Sequence, residues 1–210
     1  MKILLIPMLL IVYTNTIFAG DFYFGVEINS LVINEKSYFG SETKEIVKNL
    51  RGDIQDKTPV AFIAGLYEVY NIGEHVSLVA RQRYFSSKTS AEFSTQNYMN
   101  FNISKNIVLL NAGIRFRLML DDIFGFYAEI LPGTYIIDSF ENGYFGNYHD
   151  RDVSFGANFG FGGDFIVKQK INIGMGIIYE HFSIPQKNII LEDGGDGGGI
   201  GLVLRVGGIF

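Results

Sequence analysis

The chain has 210 residues, 48% hydrophobic and 19% charged, with a formal net charge of −5. Its 25 glycines exceed the roughly 7% ordinary for proteins; no glycine period of three exists, so collagen is ruled out, and 15% aromatic residues rule out a disordered chain. The absence of Cys excludes disulfide scaffolds, thiolate metal sites and Cys nucleophiles, and the acidic balance argues against a nucleic-acid partner.

Residues 1–20 read MKILLIPMLLIVYTNTIFAG. Lys2 supplies a positive start, residues 3–13 an apolar run, and Ile17-Phe18-Ala19 a small residue at the cut. This is the pattern of a secretory signal peptide. The run is too short for a membrane helix, which needs about 20 residues. Cleavage is expected after Ala19, leaving residues 20–210 as one exported domain. Any membrane span in that domain must be built from strands.

Beyond Gly20 the dominant period is two. Phe155, Ala157, Phe159, Phe161 and Phe165 alternate with Ser154, Gly156, Asn158, Gly160, Gly162 and Asp164, which a strand sorts onto two faces and a helix would scatter. The predicted strands are 21–30, 59–70, 75–85, 107–119, 124–137, 153–167, 171–183 and 199–210. Short connections at 71–74, 120–123 and 168–170 alternate with long ones at 31–58, 86–106, 138–152 and 184–198. That rhythm predicts an all-β, eight-stranded, antiparallel, up-and-down transmembrane β-barrel with tight periplasmic turns and larger external loops. A soluble lipocalin-like barrel or sandwich also alternates; it would put its charges on the outside.

Asp21 starts the first predicted strand, and ten charged residues lie inside the strands: Glu27, Glu68, Arg81, Arg83, Arg115, Arg117, Glu129, Asp164, Glu180 and Arg205. They share parity with glycines and small polar residues, whereas their neighbours, including Tyr67 and Val69, are apolar. None of the predicted strands holds a lysine. Five acids and five arginines make a balanced set, and arginine's planar fork suits enclosed carboxylates better than the lysine ammonium. These ten are expected to form an interior network, with Gly25, Gly113, Gly125, Gly156, Gly160, Gly174 and Gly201 making room for long arginines. An eight-stranded barrel is just wide enough for side chains to fill; a narrow porin-like channel is the alternative.

The chain ends GIGLVLRVGGIF, in which Leu204, Val206 and Phe210 belong to an alternating strand with a terminal aromatic. This resembles the C-terminal signal that the barrel-assembly machinery reads on bacterial outer-membrane proteins. Together with the pieces VSLVARQRYF and INIGMGIIYEHF, it is similar to the OmpA/OmpX/opacity-type eight-stranded barrels. The resemblance implies the cell outer membrane, with lipid and lipopolysaccharide as surroundings and the assembly machinery as a partner in biogenesis. It implies a structural or surface-interaction role, with loops that contact a host or other surface ligand. No peptidoglycan-binding segment is expected after the barrel.

Three further features invite chemistry. His181-Phe182-Ser183 resembles the His-x-Ser pair of PagL-type lipid A deacylases. That resemblance implies His181 as base, Ser183 as nucleophile and Glu192, Asp193 or Asp196 as the orienting acid. Ile184 departs from the asparagine which that family carries. The acidic glycine run at 192–199 could meet a hard cation, although it lacks a ligand ladder, so no metal or other cofactor is expected. Residues 30–57 form a charged loop with an Arg51-Gly52-Asp53 triplet, and Tyr144, Phe145, Tyr148 and His149 place aromatics on the third external loop. His75 falls beside the first turn.

Overall fold

The computed structural model describes residues 22–33, 49, 52–56, 60–93, 101–143, 146–184 and 195–210. The signal segment, Arg51, Tyr144, Phe145, Glu192 and Asp193 lie outside them, as do the expectations attached to those residues. For Tyr148, Ile184 and Asp196 only the backbone is described.

The strands are β1 (Phe22–Ile33), β2 (Gly52–Asp56), β3 (Val60–Asn71), β4 (Val76–Phe93), β5 (Phe101–Met119), β6 (Phe124–Gly143), β7 (Gly146–Val167), β8 (Ile171–Ile184) and β9 (Gly195–Ile209). Eight of these pair in a circle, β1-β3-β4-β5-β6-β7-β8-β9, closed by β9 against β1. Every pairing is antiparallel. Within that ring every strand has a paired neighbour on both sides, the condition a strand protein must meet to sit in lipid. The ninth strand, β2, pairs only with the outer part of β4 and continues the ladder where β3 stops.

The first and last strands meet at one rim, where the Phe210 amide donates to the Phe22 carbonyl at 2.9 Å. The three tight turns sit at the same rim. In the β7–β8 turn, Lys168 and Gln169 have φ of 51° and 55°, and the Lys170 amide donates to the Val167 carbonyl at 3.1 Å. Two left-handed central residues are the mark of a type I′ turn, whose twist matches a hairpin. The β5–β6 turn is held by Asp121, whose Oδ1 accepts from the amides of Ile123 (2.8 Å) and Phe124 (2.6 Å).

The outer ends of the strands correct the sequence reading. β4 runs to Phe93 and β5 starts at Phe101; β6 and β7 reach Gly143 and Gly146. The expected loops 86–106 and 138–152 are therefore mostly strand. Their polar composition suggested loops, but no Gly or Pro interrupts 86–93 or 101–106, and a ladder continues until its backbone is broken. A 22-residue strand rises about 70 Å along its axis, so tilted it stands well above an apolar band about 25 Å tall. The strands consequently do contain lysines, Lys88 and Lys105, and Lys105 is buried.

Pro132 has no amide to give the β5 ladder. Pairing with β5 lapses between Asn111↔Gly133 and Ile114↔Ile130 and resumes in the same register. Asn111 Nδ2 donates to the Leu131 carbonyl there at 3.3 Å, which satisfies an acceptor beside the gap.

Candidate functional site

The two faces of the wall are inverted relative to a soluble protein. Phe62, Phe155, Leu202 and Ile28 face out, with Phe62 77% exposed, while Arg83 and Arg205 are 1% exposed. At mid-height, four acids and four arginines meet inside. Glu27 lies 3.2 Å from Arg205 Nε and 3.5 Å from the Nε atoms of Arg81 and Arg83. Glu129 accepts from Arg205 Nη2 at 3.1 Å, from Arg115 Nη2 at 3.0 Å, and from Arg81. Arg115 Nη1 also donates to Asp164 at 3.1 Å. Arg83 Nη1 lies 2.7 Å from Glu180, which also accepts from the Tyr135 hydroxyl.

Each guanidinium spans two acids or an acid and an amide. Arg81 Nη1 donates to Asn158 at 2.9 Å, and Asn158 in turn donates to Glu180 at 2.9 Å. Arg83 Nη2 donates to Asn111 at 2.6 Å. Arg115 and Arg205 also lie over the Tyr127 ring, at 4.3 and 4.9 Å from its centroid. Balance matters because an unpaired ion in a dry interior is far less favourable than a paired one.

The network is sealed by apolar layers. Tyr23, Val69 and Val79 pack below it. Above it Tyr135 stacks on Phe182 at 4.5 Å, beside buried Leu31, Ile63, Phe85 and Ile107. The cavity at the periplasmic mouth, lined by Tyr23, Asn71, Arg117, Asp164 and Asn172, is about 10 Å³, the space of about one water.

Two of the ten expected network members lie elsewhere. Glu68 is on the outer face, because β3 carries apolar residues on both faces and its register decides between them. Gly65 pairs Glu27, and Gly25 pairs Tyr67, so Tyr67 and Val69 point inward and are buried. Arg117 shares the inward parity but sits at the periplasmic mouth, where Nη1 donates to the Tyr23 hydroxyl at 3.2 Å and Nη2 to the Glu74 carbonyl at 3.3 Å. Sequence reasoning missed Asn29, Asn111, Asn158, Tyr127 and Tyr135. Asn29 and Tyr127 each stand two residues from a network acid, which was the available signal.

The glycines make room for acids as much as for arginines. A Cβ at Gly160 would stand 2.2 Å from Glu129 Oε1, and one at Gly174 would stand 2.5 Å from Asp164 Oδ1.

His181 and Ser183 lie on the outer parity of β8, His181 half-buried and Ser183 exposed. The His181 ring lies nearly parallel to Tyr179, centroids 6.5 Å apart. Ser183 pairs Asp196 across the ladder, and its carbonyl accepts from Ser154. No hydrogen bond joins His181 to Ser183 among the described residues. Leu204 and Val206 face outward, and Phe210 closes the rim, 77% exposed. His75 is in the first turn, where its carbonyl accepts from the Arg117 amide at 2.8 Å. No cluster of metal ligands occurs among the described residues.

Above the band, the β6–β7 hairpin carries its own pair. Arg151 donates to Asp138 through Nε at 2.6 Å and Nη2 at 3.2 Å. That hydrogen bonding holds the Asp138 carboxyl below the usual aspartate range. One step further out, His149 stacks on Phe140 at 4.4 Å.

No family model and no curated protein sequence matches the chain. Solved structures do. The outer membrane protein OprG from Pseudomonas aeruginosa is similar, with a TM-score of 0.50 at 12% identity, over 91% of this chain and 96% of that one. The attachment invasion locus protein Ail of Yersinia pestis gives a TM-score of 0.49 at 12% identity, over 92% and 100%. Neisserial surface protein A gives 0.45 at 10% identity, over 89% and 98%. The chain shares its fold with the small eight-stranded barrels of the bacterial outer membrane.

Proposed function

We propose that this chain is an outer-membrane barrel whose role is structural or interactive: a closed, internally braced anchor that presents long strand hairpins outside the cell. One observation carries the reading. The wall exposes phenylalanine, isoleucine and leucine, while the arginines and carboxylates turn inward. Water does not favour that arrangement and lipid requires it. Lipid and lipopolysaccharide are then its surroundings, and the terminal strand with Phe210 its handle for the barrel-assembly machinery. The β6–β7 hairpin, with Asp138, Phe140, His149 and Arg151 beyond the band, is the part a host or surface ligand would meet.

Fractionation and heat-dependent gel mobility test the location and the fold together. The chain is expected in the outer-membrane fraction, with a compact band that shifts on boiling; recovery from the soluble periplasm would overturn the reading. Lipid A from cells with and without the chain is expected to give the same acylation pattern. A loss of acyl chains that Ser183→Ala abolishes would establish the deacylase instead.

A further inference from the structure

Arg117 stands outside the matched set of four acids and four arginines. It rises from β5, yet its Nη1 donates to the Tyr23 hydroxyl on β1 at 3.2 Å, and its Nη2 to the Glu74 carbonyl in the β3–β4 turn at 3.3 Å. From β5 to β1 the ring passes through β4 and β3, three ladder steps or about 14 Å of wall. Three steps of an eight-strand ring lead most of the way to the opposite side. The side chain therefore crosses the mouth as a strap. Both of its anchors are neutral oxygens, and no carboxylate meets this guanidinium among the described residues.

Arg117 also lines the cavity of about 10 Å³, together with Tyr23, Asn71, Ser77, Asp164 and Asn172. Three covered polar atoms of that lining have no hydrogen-bond partner among the described residues: Asn71 Nδ2, Asp164 Oδ1 and Arg117 Nε. Asn71 is 8% exposed and Asp164 6%. The other end of each short side chain is already engaged. Asn71 Oδ1 accepts from Ser77 Oγ at 2.7 Å, and Asp164 Oδ2 accepts from Arg115 Nη1 at 3.1 Å. Neither group can turn away without breaking a bond already made. Two N–H donors and one carboxylate oxygen need a small species that both accepts and donates. Water does both, whereas an anion would set its charge beside Asp164 and a cation would set its charge beside Arg117. A cavity of this size holds about one water, and a buried water makes about three hydrogen bonds.

We propose that one ordered water sits beneath the Arg117 strap, joins the Asp164 carboxylate to this fifth arginine, and with the strap seals the interior network at this mouth. The mouth is periplasmic on the reading proposed above; the experiments that test the strap run in micelles and do not depend on that location.

The chain has no cysteine, so single-cysteine variants report one position each. Ser77 is 0% exposed and Ser77→Cys puts a thiol beneath the strap; His75→Cys puts one in the exposed turn. With a small charged methanethiosulfonate, Ser77→Cys is expected to label far more slowly than His75→Cys. Adding Arg117→Ala is expected to speed the Ser77→Cys reaction about tenfold, because labelling then needs no local opening. Tyr23→Phe, which removes only the hydroxyl anchor, is expected to speed it less. The gel shift on boiling checks that each variant is folded. Equal rates at the two cysteines with Arg117 in place would overturn the strap, as would a Ser77→Cys rate that Arg117→Ala leaves unchanged. A crystal structure is expected to show one water within about 3.2 Å of both Asn71 Nδ2 and Asp164 Oδ1. A halide there, identified by the anomalous scattering of bromide, would overturn the water, as would direct contact between those two atoms.

Discussion

Arg205 is the residue on which the interior turns. It touches both Glu27 and Glu129, so Arg205→Leu leaves two buried carboxylates each short of a guanidinium. A loss of about 3–5 kcal/mol is expected, read from urea unfolding in micelles followed by circular dichroism. Arg205→Lys is expected to recover little, since one ammonium cannot replace a fork that reaches two acids; full recovery would show that charge alone matters. Gly160→Ala is expected to destabilise as well. The new Cβ would fall on Glu129, and three arginines hold that carboxylate in place. Nine of the ten strand charges share the inward parity, with plainly apolar neighbours on the other face. Glu68 could not be placed from parity, because Tyr67, Val69 and Ile63 make both faces of β3 read as lipid-facing.

Turns and hairpins follow backbone rules more than composition. Lys168 and Gln169 occupy left-handed positions at about 1–2 kcal/mol each for residues with a Cβ. Gln169→Gly is expected to stabilise the β7–β8 hairpin by about 1 kcal/mol, visible as a higher urea midpoint with an unchanged slope. An unaltered midpoint would mean that the turn is not strained. At the outer end of β6, the depressed Asp138 carboxyl has a definite pH sign. Its pairing with Arg151 contributes fully above the ordinary aspartate value and fades as pH falls through the lower folded value. Carbon-13 titration of the Asp138 carboxyl is expected to give a higher midpoint in Arg151→Ala than in the parent chain; identical midpoints would sink the assignment. The strand extensions that carry this pair were illegible beforehand, since serine, asparagine and aspartate suggest loops while the ladder needs only an unbroken backbone and a paired neighbour.

For the molecule as a whole, the central question is whether the barrel conducts. Ion pairs at mid-height, apolar side chains above and below, and a periplasmic cavity of about 10 Å³ fill the barrel's interior among the described residues. Planar-bilayer recording is therefore expected to show no sustained conductance from the folded barrel; stable unitary steps would revive the channel. The amino-acid sequence by itself determined the class and topology of this protein. Period-two alternation, eight segments and alternating connection lengths are local properties, and parity carries each one onto a face. Only the tertiary structure decided which acid meets which arginine, which face of β3 turns inward, and where the outer strands end. Those depend on register between strands distant in the chain, and a shift of one residue there exchanges inside for outside.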